Sequence, residues 1–186
     1  MEILRDQLKK RNFIVPLIFL IIAVNPYTEI MEFKYQWLFM TTHYLLYIAG
    51  FVLSYKIMRG SILYLIPGII LPVFWHLPQF FALAGAYVSW RILNDSTLFL
   101  GGIFAGMTIT KLSNAVKILL LVLWMSGDSV LSVILIVGWP PYSNEVYPFS
   151  PFSVSQEIYT GIVMFGIMTA IFVYIVINLI KTVFRI

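Results

Sequence analysis

The chain has no cysteine and very little charge: Asp, Glu, Lys and Arg make up 11% of its 186 residues, and there are two histidines. Without cysteine there are no disulfides, no thiolate metal sites and no cysteine nucleophile. The shortage of charge excludes most water-soluble folds. A soluble domain is about one-quarter charged, whereas here 61% of residues are hydrophobic and the mean hydropathy is +0.94. In lipid the surface requirement reverses, and only helices or closed barrels satisfy their backbone groups. The apolar runs are continuous and lack the alternation of barrel strands. An all-α integral membrane bundle, forming one domain over residues 1–186, is therefore predicted.

Other absences narrow the function. The formal net charge is +4, but the basic residues lie between hydrophobic runs and form no patch or aromatic-interleaved stripe, so no nucleic-acid partner is expected. The chain shows no nucleotide loop, nucleophile–base constellation or helix-borne carboxylate pair, and a non-enzymatic protein is predicted.

A spanning helix needs about 20 mostly apolar residues. On that measure six spans are expected, at about 12–27, 36–55, 61–88, 96–110, 118–139 and 158–179, with one long loop at 140–156. Arg5 to Arg11 followed by an apolar run also resembles a secretory signal, but no small-x-small cleavage site follows, which favours an uncleaved first span. Pro67, Pro72 and Pro78 predict that the third span is kinked or broken near its outer end. Arg91 to Ser96 reads as a polar step before the fourth span, and Gly101, Gly102 and Gly106 as positions of close helix packing.

Arg5, Lys9, Lys10, Arg11, Lys56, Arg59, Lys111, Lys117, Lys181 and Arg185 all fall on one side of such a bundle, with Lys34 and Arg91 on the other. Glu29, Glu32, Asp95, Glu145 and Glu157 join that second side. By the positive-inside rule both termini are then cytoplasmic, in a multi-pass protein of the plasma membrane. Trp37, Trp75, Trp90 and Trp139 fit an interfacial belt.

Polar groups inside a bilayer are costly and mark candidate sites. His43, His76 and Asp128 are of this kind, with Met125 and Met164 as soft donors. Counted at 1.5 Å per residue, His43, His76, Asp128 and Met164 all lie in the outer half. Two histidines at similar depth suit a metal ion or the axial positions of a haem b, and Met164 would add a soft ligand for copper(I). The alternative is structural. His43 can bond a neighbouring helix, His76 can serve a carbonyl freed by the prolines, and Met164 can be packing. Asp128 reads as a proton carrier, a counter-ion or a neutral acid bonded to serines.

Four blocks in order carry a resemblance. Met40 and His43 keep part of a His-Met-x-x-His element, and Trp75-His76-Leu77-Pro78 is an intact Trp-His-x-Pro element. Asn94 and Asp95 stand where a Glu-His pair leads a helix ending in Gly101-Gly102. Pro141-Tyr142 precedes Gly161-Ile162-Val163-Met164, a Gly-x-x-Met helix, with Gln156-Glu157 aligned to an Asp-Gln pair. Across residues 36–170 the chain resembles the CtaG-type cytochrome c oxidase assembly family, through a reduced archaeal branch. The resemblance implies a role in maturing respiratory oxidases through copper, with His43, His76 and Met164 as the retained ligands. The histidines lost at Phe39 and Asp95 equally suggest a scaffold turned accessory subunit. The expected function is an assembly factor or accessory subunit of a terminal oxidase or quinol-oxidising complex, in contact with lipid and other membrane subunits. The alternatives are a haem b or quinone-binding electron-transfer subunit and a small proton-coupled transporter using Asp128.

Overall fold

The computed structural model describes residues 1–184, so Arg185, assigned above to the last basic flank, lies outside the described residues. Apart from a two-residue pairing of Glu2–Ile3 (β1) with Met58–Arg59 (β2), the described regular structure is helical. The α-helices are α1 (Lys10–Ala23), α2 (Pro26–Glu32), α3 (Gln36–Ile57), α4 (Leu65–Trp75), α5 (Pro78–Ala86), α6 (Val88–Thr108), α7 (Asn114–Ile136) and α8 (Val154–Phe184). Four segments are long and apolar enough to cross a membrane: Gln36–Ile57, Val88–Lys111, Asn114–Ile136 and Val154–Asn178. Two bent pairs raise the number to as many as six. Lys10–Ala23 meets Pro26–Glu32 at 51°, and Ile62–Trp75 meets Pro78–Ala86 at 73°.

Each break has a local cause. Asn25 accepts hydrogen bonds from the Tyr27 and Thr28 amides at 3.1 and 3.0 Å, and Pro26 occupies the first position of α2, where its missing N–H costs nothing. Pro26 therefore starts a new helix rather than kinking the old one. The expected break in the third span falls between Trp75 and Pro78, again with proline opening the next helix. α7 ends before Gly138, whose φ of +68° is the left-handed conformation that glycine tolerates.

The expected fourth span starts too late. α6 begins at Val88, so Arg91 to Ser96 is helix and not a polar step. The fifth helix likewise begins earlier, at Asn114, and ends at Ile136, and α8 begins at Val154, so the expected loop keeps its length and shifts to 137–153.

The bundle is organised around α3 and α6. A Cβ placed on Gly50 would collide with the Phe99 carbonyl, one on Gly102 with the Tyr47 carbonyl, and one on Gly106 with the Phe51 carbonyl. The two backbones therefore touch, as small residues permit in membrane helices. Gly101 has only ordinary contacts and is not part of this seam. α7 and α8 form a second close pair, with Gly161 set against the Ser132 carbonyl. The starts of α3, α6 and α8, together with α2, α5 and the 137–153 connection, gather at one end of the bundle, here termed the loop end. Phe152 lies inside it, with its ring 5.7 Å from that of Phe39 and 5.9 Å from that of Phe81.

Candidate functional site

The loop end holds most of the buried polar side chains, and the two histidines meet there. His43, on α3, and His76, at the α4–α5 break, have ring centroids 5.8 Å apart in an edge-on arrangement. The break places His76: it caps the end of α4, and its Nδ1 lies 2.6 Å from the Pro72 carbonyl. That contact commits Nδ1–H and leaves Nε2 as the bare nitrogen. The Pro72 carbonyl also accepts the His76 amide at 3.3 Å, whereas the carbonyl that Pro72 leaves without an amide, that of Gly68, accepts from the Tyr47 hydroxyl at 2.9 Å, so the expected role of His76 on a proline-freed carbonyl falls to Tyr47.

His43 is buried, with Phe39 and Phe81 packed on one side of it at 4.3 and 6.3 Å by ring centroids. Its Nε2 lies 2.5 Å from Asn94 Nδ2 on α6, the neighbouring-helix bond that was one of its expected roles. His43 Nδ1 and Asn94 Oδ1 have no hydrogen-bond partner. With the amide turned so that Oδ1 accepts from Nε2–H, Nδ1 becomes a free ligand nitrogen.

Above the histidines lies an ion pair that composition did not reveal. Arg91 Nη1 donates to Glu32 Oε2 at 2.9 Å, and both side chains are 1% exposed. Arg91 Nε and Nη2 donate to the Ala84 and Gly85 carbonyls at 3.1 and 3.2 Å. Its guanidinium also lies between the rings of Phe33 and Phe39, 4.0 and 4.4 Å from their centroids. This explains how an arginine enters the first turn of a spanning helix: Glu32 neutralises it, and carbonyls at the end of α5 take its remaining donors. Asn94 reaches Asp95 at 3.4 Å, one residue along α6.

Tyr142 ties the connecting segment to this site. Its hydroxyl donates to the His76 carbonyl at 2.8 Å, and its own carbonyl accepts from Gln36 Nε2 at 3.1 Å. Burial, with the neighbouring Glu157 carboxyl, pushes the Tyr142 hydroxyl up to about 12, so it stays a donor at any ordinary pH. Trp75 is buried and donates to Thr97 at 2.7 Å, so it does not belong to an interfacial belt. The exposed Trp37 and Trp139 fit one better.

Asp128 lies deeper, on α7. Its Oδ1 accepts from the Tyr44 hydroxyl of α3 at 2.5 Å. The expected serine partners are not its ligands: Ser129 donates instead to Met168 at 3.4 Å. Met164 is buried within the same apolar cluster as Phe39, Met40 and Trp75. Met125 is only partly buried. Glu157, assigned by sequence to the outer side, is buried.

Sequence reasoning missed Asn94, Tyr44 and the Glu32–Arg91 pair as parts of the site. An asparagine and an arginine in the first turns of an apolar helix were the available signals. Among the described residues no three His, Cys, Asp or Glu side chains converge as a metal cage, so the metal donors on offer are the two imidazoles.

Fold and site together define an all-helical protein with four to six helices apolar enough to cross a membrane and a buried polar cluster at one end. The chain belongs to the family described as protein of unknown function DUF1404, whose model matches residues 14–182. Neither the curated proteins nor the solved structures contain a match to it.

Proposed function

We propose that the protein is a non-catalytic subunit or assembly factor of a terminal oxidase or quinol-oxidising complex, and that it holds a copper(I) ion between His43 and His76. It sits in the plasma membrane as a six-span bundle, each bent pair counting as one span. Both termini are cytoplasmic and the loop end faces out. The observation that carries this reading is the meeting of two imidazoles distant in sequence, 5.8 Å apart between ring centroids. The four blocks of the oxidase-assembly resemblance support it, because the residues they contribute, His43, His76, Asn94 and Tyr142, are linked by contacts at one end. Two imidazole nitrogens suit a soft monovalent ion better than a hard cation, which prefers several oxygen ligands.

Gentle purification from native membranes, with copper quantification and a visible spectrum, tests this reading. Copper and oxidase subunits should accompany the wild-type protein, and the copper should be lost in both His43→Ala and His76→Ala. A haem band lost in the same two variants would replace copper by haem b. A metal content indifferent to both substitutions would leave the histidines as packing residues and overturn the ligand assignment.

A further inference from the structure

The histidine site leaves a second group of buried polar atoms unexplained. Asp128 Oδ2, Ser132 Oγ and both carboxylate oxygens of Glu157 are buried with no hydrogen bond of ordinary geometry to a protein group, the Ser143 hydroxyl beside Glu157 donating to the Pro140 carbonyl instead. Native structures keep few such atoms, and each calls for a water, an ion or a function. These four follow one seam. Asp128 and Ser132 are four residues apart on α7, so they share a face one turn apart, about 5.4 Å along the axis. Gly161 of α8 touches the Ser132 carbonyl, and Glu157 lies one turn closer to the loop end on the same face of α8. On the α3 side, Thr160 donates to Gln36 Oε1 at 3.3 Å, and Tyr44 donates to Asp128 at 2.5 Å. Beyond Glu157 stands Glu145, exposed on the connecting segment and close enough for its charge to act on Glu157. The titratable groups facing Glu157 are Glu145 and Tyr142, and Tyr44 faces Asp128.

We propose that the α3–α7–α8 seam is a hydrated acid ladder that passes protons between the loop-end solution and Asp128 deep in the bundle. Glu145 and the solution protonate the Glu157 carboxylate. The Glu157 carboxyl releases its proton to a water beside Ser132, and the resulting hydronium gives a proton to the Asp128 carboxylate. Water is restored, Glu157 is again an anion, and Asp128 is a neutral acid. The Tyr44 hydroxyl holds Oδ1 throughout, so Oδ2 is the oxygen that gains and loses the proton. The ladder ends at Asp128: it equilibrates a proton with one side of the membrane and does not conduct across it.

The natural absence of cysteine permits a direct test. Ser132→Cys, the sole thiol in the 186-residue chain, is placed in right-side-out and inside-out membrane vesicles and exposed to Ag⁺, an ion that fits where water fits. Thiols still free are then counted by alkylation in denaturant. Because a thiol reacts as thiolate in water, Ser132→Cys should be blocked from the loop-end side about tenfold or more faster than Val133→Cys, whose position is 52% exposed on the apolar surface. Glu157→Leu in the Ser132→Cys background should slow the reaction by a similar factor. Equal rates at positions 132 and 133, or faster reaction from the opposite side, overturn the proposal.

If Ser132→Cys fails to accumulate, the wild-type chain serves. The infrared carboxyl band that Asp128→Asn removes should shift on transfer to D₂O, faster in the wild type than in Glu157→Leu, and a band that does not exchange, or that exchanges equally fast in both, overturns the ladder. Neither readout involves the histidines, so failure here is distinguishable from failure of the copper reading.

Discussion

Arg91 on α6 and Glu32 on α2 are 59 residues apart and meet at 2.9 Å inside the bundle, both 1% exposed. Removing one partner of such a pair leaves an uncompensated buried charge, which costs about 3–5 kcal/mol. Arg91→Ala should therefore lower the unfolding midpoint in detergent sharply or abolish membrane accumulation. The double variant Glu32→Gln/Arg91→Met should recover much of the loss. Thermal denaturation of the purified variants measures both, and a double variant no better than the single would show that the carbonyl contacts of Arg91 matter more than its ion pair.

Substitutions at glycine should sort by position. Gly102→Ala and Gly50→Ala drive a methyl into the facing carbonyl and should each destabilise by about 1–3 kcal/mol. A methyl added at Gly127 or Gly166 would meet nothing within 4 Å, so Gly127→Ala and Gly166→Ala should be neutral or stabilising by up to about 1 kcal/mol through helix propensity. Unfolding in mixed micelles compares the four.

Tyr44→Phe deletes the donor to Asp128 and leaves a second carboxylate oxygen unpaired. Hydrogen bonds between membrane helices contribute about 0.6 kcal/mol on average and at most about 1.7. A loss in that range is expected in the same unfolding assay, and a loss near zero would indicate that water already competes for Oδ1.

The six-span topology predicts opposite labelling of two exposed positions. Glu145→Cys should react with an impermeant maleimide added to intact cells. Lys111→Cys should react only after the membrane is opened. Labelling of both from outside would refute the proposed orientation.

Much of this architecture was readable from composition, because lipid leaves few ways to satisfy a backbone and the helices had to be long and apolar. The break at His76 was readable from Pro72 and Pro78, which remove amide donors at fixed places. The start of α6 was not. Arg91, Asn94 and Asp95 look like a loop when each is counted alone, and only Glu32, the α5 carbonyls and His43 make them tolerable inside a helix. Those partners come from distant positions, so no local window contains them. His43 and His76 were matched by depth, a one-dimensional estimate that cannot report which faces meet. Glu157 counted only as a charge of the outer side, and a count of charges does not report that the fold buries it.

The backbone contact between α3 and α6 also limits how the protein can change shape. Helices that touch through glycine have no side-chain cushion to slide on, so this pair is the rigid frame of the molecule. His43 and Asn94 ride on that frame, whereas His76 hangs from the hinge between two short half-helices. Any rearrangement that opens or tightens the gap between the imidazoles must therefore come from the α4–α5 elbow, and Tyr142, bonded to the His76 carbonyl, is the handle by which a partner docked on the connecting segment would pull it.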